Sequence, residues 1–252
     1  MSQANPESLE GRIALITGAA RRIGAAIAEL LHDHGANVAI HFRGSEVKAA
    51  ELCTRLNQRR EESARMFHAD LAADGSPAAL IDAVLEWSGQ LDILINNASS
   101  FYPTPLGTIT EAQWLELIGS NLKAPLFLSQ AAMPHLRSSH GVIVNIVDIH
   151  AKRPLRDHVV YGSAKAGLAM LTRSLAKDLA PEVRVNGVAP GAIEWPEHDM
   201  TDATKKKIIE QIPLGRTGDP ADIAKCVLFL VRDATYSTGQ IIAIDGGRSV
   251  GW

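Results

Sequence analysis

Short, unbroken apolar runs recur along the chain, separated by longer stretches in which apolar positions return every three or four residues. The runs are Arg12–Thr17, Asn37–Phe42, Arg65–Ala69, Asp92–Ile95, Gly141–Val147, Val183–Val188 and Gln240–Ile244. Apolarity without alternation suits a strand buried on both faces, as in a parallel sheet covered by helices on either side. The intervening stretches supply those helices. Ile23, Ile27, Leu30 and Leu31 share one helical face, Glu46–Arg60 forms a second helix, and helical spacing continues near 77–87, 111–136, 159–180 and 220–231. This alternation predicts a doubly wound α/β fold of the Rossmann type, with about seven parallel strands. No linker or composition break divides residues 1–252, which read as one domain. The irregular passage Ala192–Thr204, followed by a Lys205–Ile212 helix, reads as a lid near 192–212 or as a surface excursion.

Charge narrows the partners. The chain holds 25 Lys and Arg against 28 Asp and Glu, a net charge of −3, so it exerts no overall pull on nucleic acid or anionic membrane. Any anion site must be local. Cys53 and Cys226 have no metal-ligand spacing and fit a reduced compartment. The first ten residues carry no basic, apolar leader, and no apolar run is long enough to span a bilayer. The expectation is a cytoplasmic protein acting on a small molecule. His32 and His34 lack a third ligand and read as exposed capping residues, so no metal is expected, and Lys205–Lys207 read as a solvated helix face.

The first strand runs into Thr17–Gly24, TGAARRIG, and then directly into a helix. Gly18 permits a tight turn, Gly24 permits close helix–sheet packing, and the helix N-terminus offers N–H groups and a positive dipole to a phosphate. The second strand ends in His41-Phe-Arg-Gly-Ser45. NAD sites place an acid there to hold the ribose 2′-hydroxyl. Here Arg43 and Ser45 stand instead, a guanidinium and a hydroxyl suited to a 2′-phosphate, which predicts NADPH. Asp70, after the third strand, reads either as an acceptor for the adenine amino group or as a turn cap.

Tyr161 and Lys165 stand at i and i+4 and share a helical face, where an ammonium favours the phenolate and makes the phenol a better acid. Other motifs accompany them in order: Asn96-Asn-Ala-Ser99 after the fourth strand, Asn121 in the next helix, Pro190-Gly191 after the sixth strand, and Asp245-Gly-Gly247 after the last. Together with the glycine turn, these resemble the short-chain dehydrogenase/reductase family over Arg12–Gly247. The resemblance implies a seven-stranded parallel sheet, a nicotinamide cofactor and, commonly, a homotetramer. It also implies a catalytic set of Asn121, Tyr161 and Lys165, in which Asn121 anchors a water leading to the lysine. Cofactor contacts are implied at Gly18, Arg22, Ile23, Leu71, Asn97, Ala98, Ser99, Tyr161, Lys165, Pro190, Gly191 and Ile193.

Three departures from that family bear on the substrate. Arg22 replaces the middle glycine of the turn, NNAG has become NNAS and continues SFYPTPL to Leu106, and Asp148 replaces the serine that precedes the tyrosine. A serine donates to a substrate carbonyl; an ionised aspartate only accepts and repels an oxygen gaining charge. The carboxylate also opposes ionisation of Tyr161, partly offsetting Lys165. Reduction of C=N in a nitrogen heterocycle fits this better than reduction of a ketone. Phe101 offers a face for a flat ring, although plain packing is the commoner role of a phenylalanine. The three departures resemble the pteridine reductases. That resemblance implies NADPH-dependent reduction of a dihydropterin to a tetrahydropterin, with Arg22, Ser99 and Phe101 holding the pterin and Asp148, Tyr161 and Lys165 serving catalysis. Trp195, Glu194 and His198 lie in the lid passage, and Trp195 is a substrate-contact candidate. The competing readings are a ketone reductase, such as a 3-oxoacyl carrier-protein reductase, and a dihydromonapterin or dihydrofolate reductase. A non-catalytic nucleotide sensor is disfavoured because Asn121, Tyr161 and Lys165 are all present.

Overall fold

A computed structural model describes residues 8–195 and 200–250. Among these residues seven strands form one parallel sheet in the order β3-β2-β1-β4-β5-β6-β7. The strands are β1 (Ile13–Ile16), β2 (Asn37–Phe42), β3 (Ala64–His68), β4 (Ile93–Asn96), β5 (Val142–Ile146), β6 (Arg184–Pro190) and β7 (Ile241–Ile244). The helices are α1 (Arg22–Asp33), α2 (Glu46–Arg59), α3 (Ser76–Ser88), α4 (Glu111–Ile118), α5 (Ala124–Ser138), α6 (Val159–Leu179), α7 (Asp202–Glu210) and α8 (Pro220–Leu228).

The unbroken apolar runs are explained by two cores. Ile16, Ile40, Ile95 and Val144 pack with Ile27 and Leu31 of α1 and Ile223 and Val227 of α8 on one face. Leu15, Ala39, Leu94 and Ile143 pack with Leu80 and Val84 of α3, Leu128 and Leu136 of α5, and Leu179 of α6 on the other. Successive residues of a strand point to opposite faces, so every position had to be apolar.

Several polar side chains enter this interior, and three of them form a hydrogen-bonded chain. Asn96 Nδ2 donates to Asn145 Oδ1 at 2.8 Å, Asn145 Nδ2 donates to Thr172 Oγ1 at 2.9 Å, and Thr172 Oγ1 donates to Leu168 O at 2.8 Å. The register Asn96↔Asn145 sets the first two side by side. The chain ties β4 and β5 to α6, the helix that carries Tyr161 and Lys165. The strand order reverses between β1 and β4, so the crevice beyond their C-terminal ends is where this architecture binds ligands.

Several helix bounds differ from the periodicity. The stretch 111–136 is two helices, α4 and α5, joined by a π turn at Gly119–Lys123, and Asn121 lies in that turn. A second π turn, Phe229–Asp233, follows α8. Such widened turns interrupt the α-helical hydrogen bonding for a single turn, too briefly to break the run of helical periodicity. The lid helix begins at Asp202 because Thr201 caps it, its Oγ1 accepting from Thr204 N at 3.3 Å. His32 is buried rather than exposed, its Nε2 2.7 Å from Ser63 Oγ, because the end of α1 packs onto the α2–β3 connection. His34 follows α1 as its C-cap residue.

The turn after β1 leaves no room for a side chain. A Cβ on Gly24 would lie 2.4 Å from Gly18 O and 2.6 Å from Asn97 Nδ2, whereas a Cβ on Gly44 would meet nothing within 4 Å. Gly24→Ala is expected to cost about 1–3 kcal/mol and to lower Tm by roughly 2–12 °C, against little change for Gly44→Ala. Thermal denaturation of the two variants side by side checks this.

Candidate active site

The loops leaving the C-terminal ends of the strands enclose a cleft of about 880 Å³. Its floor at one end is the turn between β1 and α1. Gly18 has φ +62°, and its would-be Cβ lies 3.0 Å from Ala98 Cα. Asn97 Nδ2 clamps the turn by donating to Thr17 O at 2.8 Å and Gly18 O at 3.1 Å, and the N–H groups of Asn97 and Ala98 both donate to Thr17 Oγ1 at 2.9 Å. Asn97 therefore shapes the cradle with its side chain. Ile23, Gly24, Leu71, Ala98, Pro190, Gly191 and Ile193 also line the cleft, and the first turn of α1 carries no side-chain cap. A backbone cradle too tight for a Cβ, opening onto free helix N–H groups, fits the diphosphate of a dinucleotide.

Beyond the cradle, Arg43 and Ser45 line the cleft at the end of β2. The Arg43 side chain is half exposed, with Nη2 3.9 Å from Glu116 Oε1. Ser45 precedes α2 without spending its hydroxyl on a cap. Both side chains can turn to a phosphate. Asp70 lines the cleft but also caps a turn, its Oδ1 accepting from Ala72 N at 3.1 Å, so the two roles expected of it share one carboxylate.

His41 was not anticipated. It is a histidine in the apolar strand β2, and that polar outlier was the signal. Its Nδ1 accepts from Gly18 N at 3.1 Å, so Nε2 carries the proton and donates to Ala69 O at 3.1 Å. Burial pulls its pKa down to about 4. The neutral ring thus braces the glycine turn against the β3 loop.

Asp148, Tyr161 and Lys165 meet at the other end of the cleft. Tyr161 Oη donates to Asp148 Oδ2 at 2.7 Å, and Asp148 Oδ1 accepts from His150 N at 2.8 Å. Lys165 is buried, and its Nζ donates to Ile146 O at 2.9 Å. Burial pulls the ammonium down to about 8, with the Asp148 charge opposing, so it stays largely protonated at neutral pH. The phenol moves opposite to the simple expectation from Lys165. Burial and then the Asp148 carboxylate hold the Tyr161 pKa well above 10, and Ser99 only partly offsets them. Asp148 touches the phenolic oxygen, whereas the Lys165 ammonium donates to Ile146 O, and the carboxylate prevails.

Asn121 is buried below this floor. Its Nδ2 donates to Ser100 O at 2.9 Å and Leu117 O at 3.0 Å, and its Oδ1 accepts from Ser99 Oγ at 2.7 Å. Glu116 of α4 accepts from Ser100 Oγ at 3.1 Å and from Tyr102 Oη at 3.0 Å, which anchors the loop after β4. That loop presents Phe101, 52% exposed, with its edge to Tyr161 at 4.8 Å and one face stacked on His158 at 4.8 Å. His158 is a second residue that sequence spacing could not reveal, because only the bridge between Thr104 and His158 brings the two loops together.

Arg22 sits at φ +53°, a conformation that favours glycine, which explains why glycine serves this place elsewhere. Its Nη2 donates to Ile193 O at 3.0 Å and its Nε lies 3.5 Å from Glu194 Oε2, joining the turn to the root of the lid passage. Trp195, Met200 and Ile208 line the same end. His198 lies outside the described residues. Among the described residues no cluster of three potential metal ligands occurs, and no helix is long and apolar enough to cross a membrane.

Comparison with known proteins agrees with this geometry. A family model described as enoyl-(acyl carrier protein) reductase matches residues 18–249. The chain belongs to the short-chain dehydrogenase/reductase family. Pteridine reductase 1 of Leishmania tarentolae is 37% identical over 94% of this chain and 96% of its own length. The 3-oxoacyl-(acyl-carrier-protein) reductase FabG of Staphylococcus aureus is 38% identical over 93% of this chain and 96% of its own. A solved structure assigned as a short-chain alcohol dehydrogenase of Sinorhizobium meliloti 1021 superposes with a TM-score of 0.92 at 33% identity, covering 98% of this chain and all of that one. As a short-chain dehydrogenase/reductase, the protein is an oxidoreductase that uses a nicotinamide cofactor.

The brace at His41 predicts a pH dependence. A pKa lowered from 6.5 to about 4 means that this part of the stability is complete above pH 6.5 and is lost as pH falls from 6.5 towards 4. The loss amounts to roughly 3 kcal/mol. Denaturant titrations across that window should show it in the natural protein and show a smaller loss in His41→Asn.

Proposed function

We propose that the protein is an NADPH-dependent pteridine reductase that converts a dihydropterin to a tetrahydropterin. The observation that carries this reading is the 2.7 Å contact between Asp148 and Tyr161. It puts an acceptor-only group where a ketone reductase needs a donor, and it suits a substrate that presents N–H groups and takes a proton on nitrogen. The likeness to the Leishmania tarentolae pteridine reductase over nearly the whole chain supports it.

Bound NADPH supplies a hydride to a ring carbon. The chain's own residues do the rest. Arg43 and Ser45 receive the 2′-phosphate, and the turn Gly18–Gly24 receives the diphosphate, with Arg22 at its edge. Ile23, Asp70, Leu71, Ala98, Pro190, Gly191 and Ile193 wall the cofactor, and Lys165 holds its ribose. Phe101 stacks on one face of the pterin, opposite the nicotinamide, with Arg22, Ser99 and Trp195 around the ring. Tyr161, kept protonated at neutral pH by burial and Asp148, delivers its proton to the ring nitrogen as the adjacent carbon is reduced. Asn121 holds the floor beneath Ser99. The lid expected near 192–212 is rooted, in its described residues, by the contacts of Arg22 with Ile193 and Glu194. The protein is further proposed to be cytoplasmic and to assemble as a homotetramer, for which exposed Trp114, Leu115, Phe127 and Met170 supply apolar surface.

The second reading, a 3-oxoacyl carrier-protein reductase, draws on the equally similar Staphylococcus aureus relative. Cofactor oxidation with dihydrobiopterin against a panel of ketones separates the two. Turnover with the pterin and NADPH is expected, with little on ketones or with NADH. Ketone turnover without pterin turnover overturns the proposal. Asp148→Ser should lower kcat on the pterin by about 10²–10⁴-fold and leave NADPH binding nearly unchanged. Arg43→Glu should weaken NADPH binding about 10–100-fold and NADH binding little. Steady-state kinetics and direct cofactor titration measure both.

A further inference from the structure

Two residues that line the cleft hold backbone conformations that favour glycine. Arg22 has φ +53° and Glu194 has φ +52°. They meet between the β1–α1 turn and the segment after β6. Arg22 Nε lies 3.5 Å from Glu194 Oε2, and Arg22 Nη2 donates to Ile193 O at 3.0 Å. The two side chains are 40% and 46% exposed, and an ion pair so open to water adds little to folding stability. What the pair sets is the direction of the guanidinium.

Glu194 is the anchored member. Its N–H donates to Gly218 O at 3.2 Å, the Gly218 N–H donates to Ala192 O at 2.9 Å, and Ile193 forms a bridge with Gly218. The junction is closely packed, since a Cβ on Gly218 would lie 2.4 Å from Ile193 Cδ1. Arg22 is the member with a choice. It opens α1, at the helix end read above as the diphosphate site, and a guanidinium there is drawn to phosphate oxygens. Glu194 is a competing anion on the side of the cleft that also carries Trp195.

We propose that Glu194 is a positioning residue: its carboxylate holds the Arg22 guanidinium off the cofactor diphosphate and turned to the side of the cleft that receives the substrate. One guanidinium then has opposite effects on two ligands. Pairing with Glu194 weakens cofactor binding, because the diphosphate loses part of a cation, and strengthens substrate binding, because the donors of Arg22 stay directed at the ring. The proposal rests on the reading of Gly18–Gly24 as the diphosphate site and of Arg22 as a substrate contact. It does not require the substrate to be a pterin.

Glu194→Gln tests this, since it keeps the shape and an acceptor but removes the charge. Direct titration should show NADPH and NADH each binding about 3–10-fold more tightly, because both carry the diphosphate. With whichever substrate the panel of pterins and ketones identifies, KM should rise about 5–20-fold, more than kcat falls. Both effects should vanish in an Arg22→Gly background, where φ suits the new residue and no guanidinium remains. Tightening that persists without Arg22 is a plain field effect of the carboxylate and overturns the proposal. So do tighter cofactor binding with an unmoved KM, and cofactor binding that is unchanged or weaker. A fall in Tm with both affinities reduced makes Glu194 structural and overturns it too. The cofactor arm uses no substrate and is common to both dinucleotides, so failure of the pterin or NADPH assignment leaves its result standing.

Discussion

Burial of the central strands on both faces governs this molecule. Because β1, β4 and β5 have helices above and below, no polar side chain can leave the sheet sideways without losing its hydrogen bonds to water. Asn96, Asn145 and Thr172 meet that cost only in part, linked in a chain that ends on a backbone carbonyl while Asn96 Oδ1 has no protein partner among the described residues. Chemistry is thereby confined to the strand ends. The cleft draws on the loops after β1 through β6, and the reactive groups face it because the remaining space is filled with Leu, Ile and Val.

Within the cleft the two ends are held by different means. The cradle end is backbone, shaped by Asn97 and Thr17 and braced by a neutral histidine. The reacting end is side chain, and its character comes from the carboxylate placed against the phenol. A serine at 148 would leave Tyr161 without the charge that resists its ionisation. With aspartate there, the phenol is a guarded acid, and the groups able to relieve the resulting anion matter more than in relatives that carry serine.

The sheet was legible because buried parallel strands write themselves as unbroken apolar runs; β2 was read to its termini, and the others to within two residues at either end. The cradle was legible because Gly18 and Gly24 answer steric demands that only glycine meets. What stayed hidden depended on distances between remote segments. Spacing placed Tyr161 beside Lys165 but could not show that Asp148 accepts the phenolic hydrogen bond while Lys165 turns to Ile146 O. His32 read as exposed because its burial comes from the α2–β3 connection. His158 lies 57 residues beyond Phe101 in the chain, and only the folded loops stack them.

The π turn at Gly119–Lys123 carries one residue more than an α-helical path through the same stretch would need. One residue turns a helix by about 100°. The surplus therefore lets two rigid cylinders in one continuous segment face different ways: α4 turns Glu116 to the loop that presents Phe101, while α5 turns Leu128 and Leu136 to the sheet. Removing one residue there would leave both helices intact as helices and put them out of phase, so that the core and the substrate loop competed for the same rotation. The segment works as a phase adjuster between a part of the molecule that must stay constant and a part that can be retuned for a different ring.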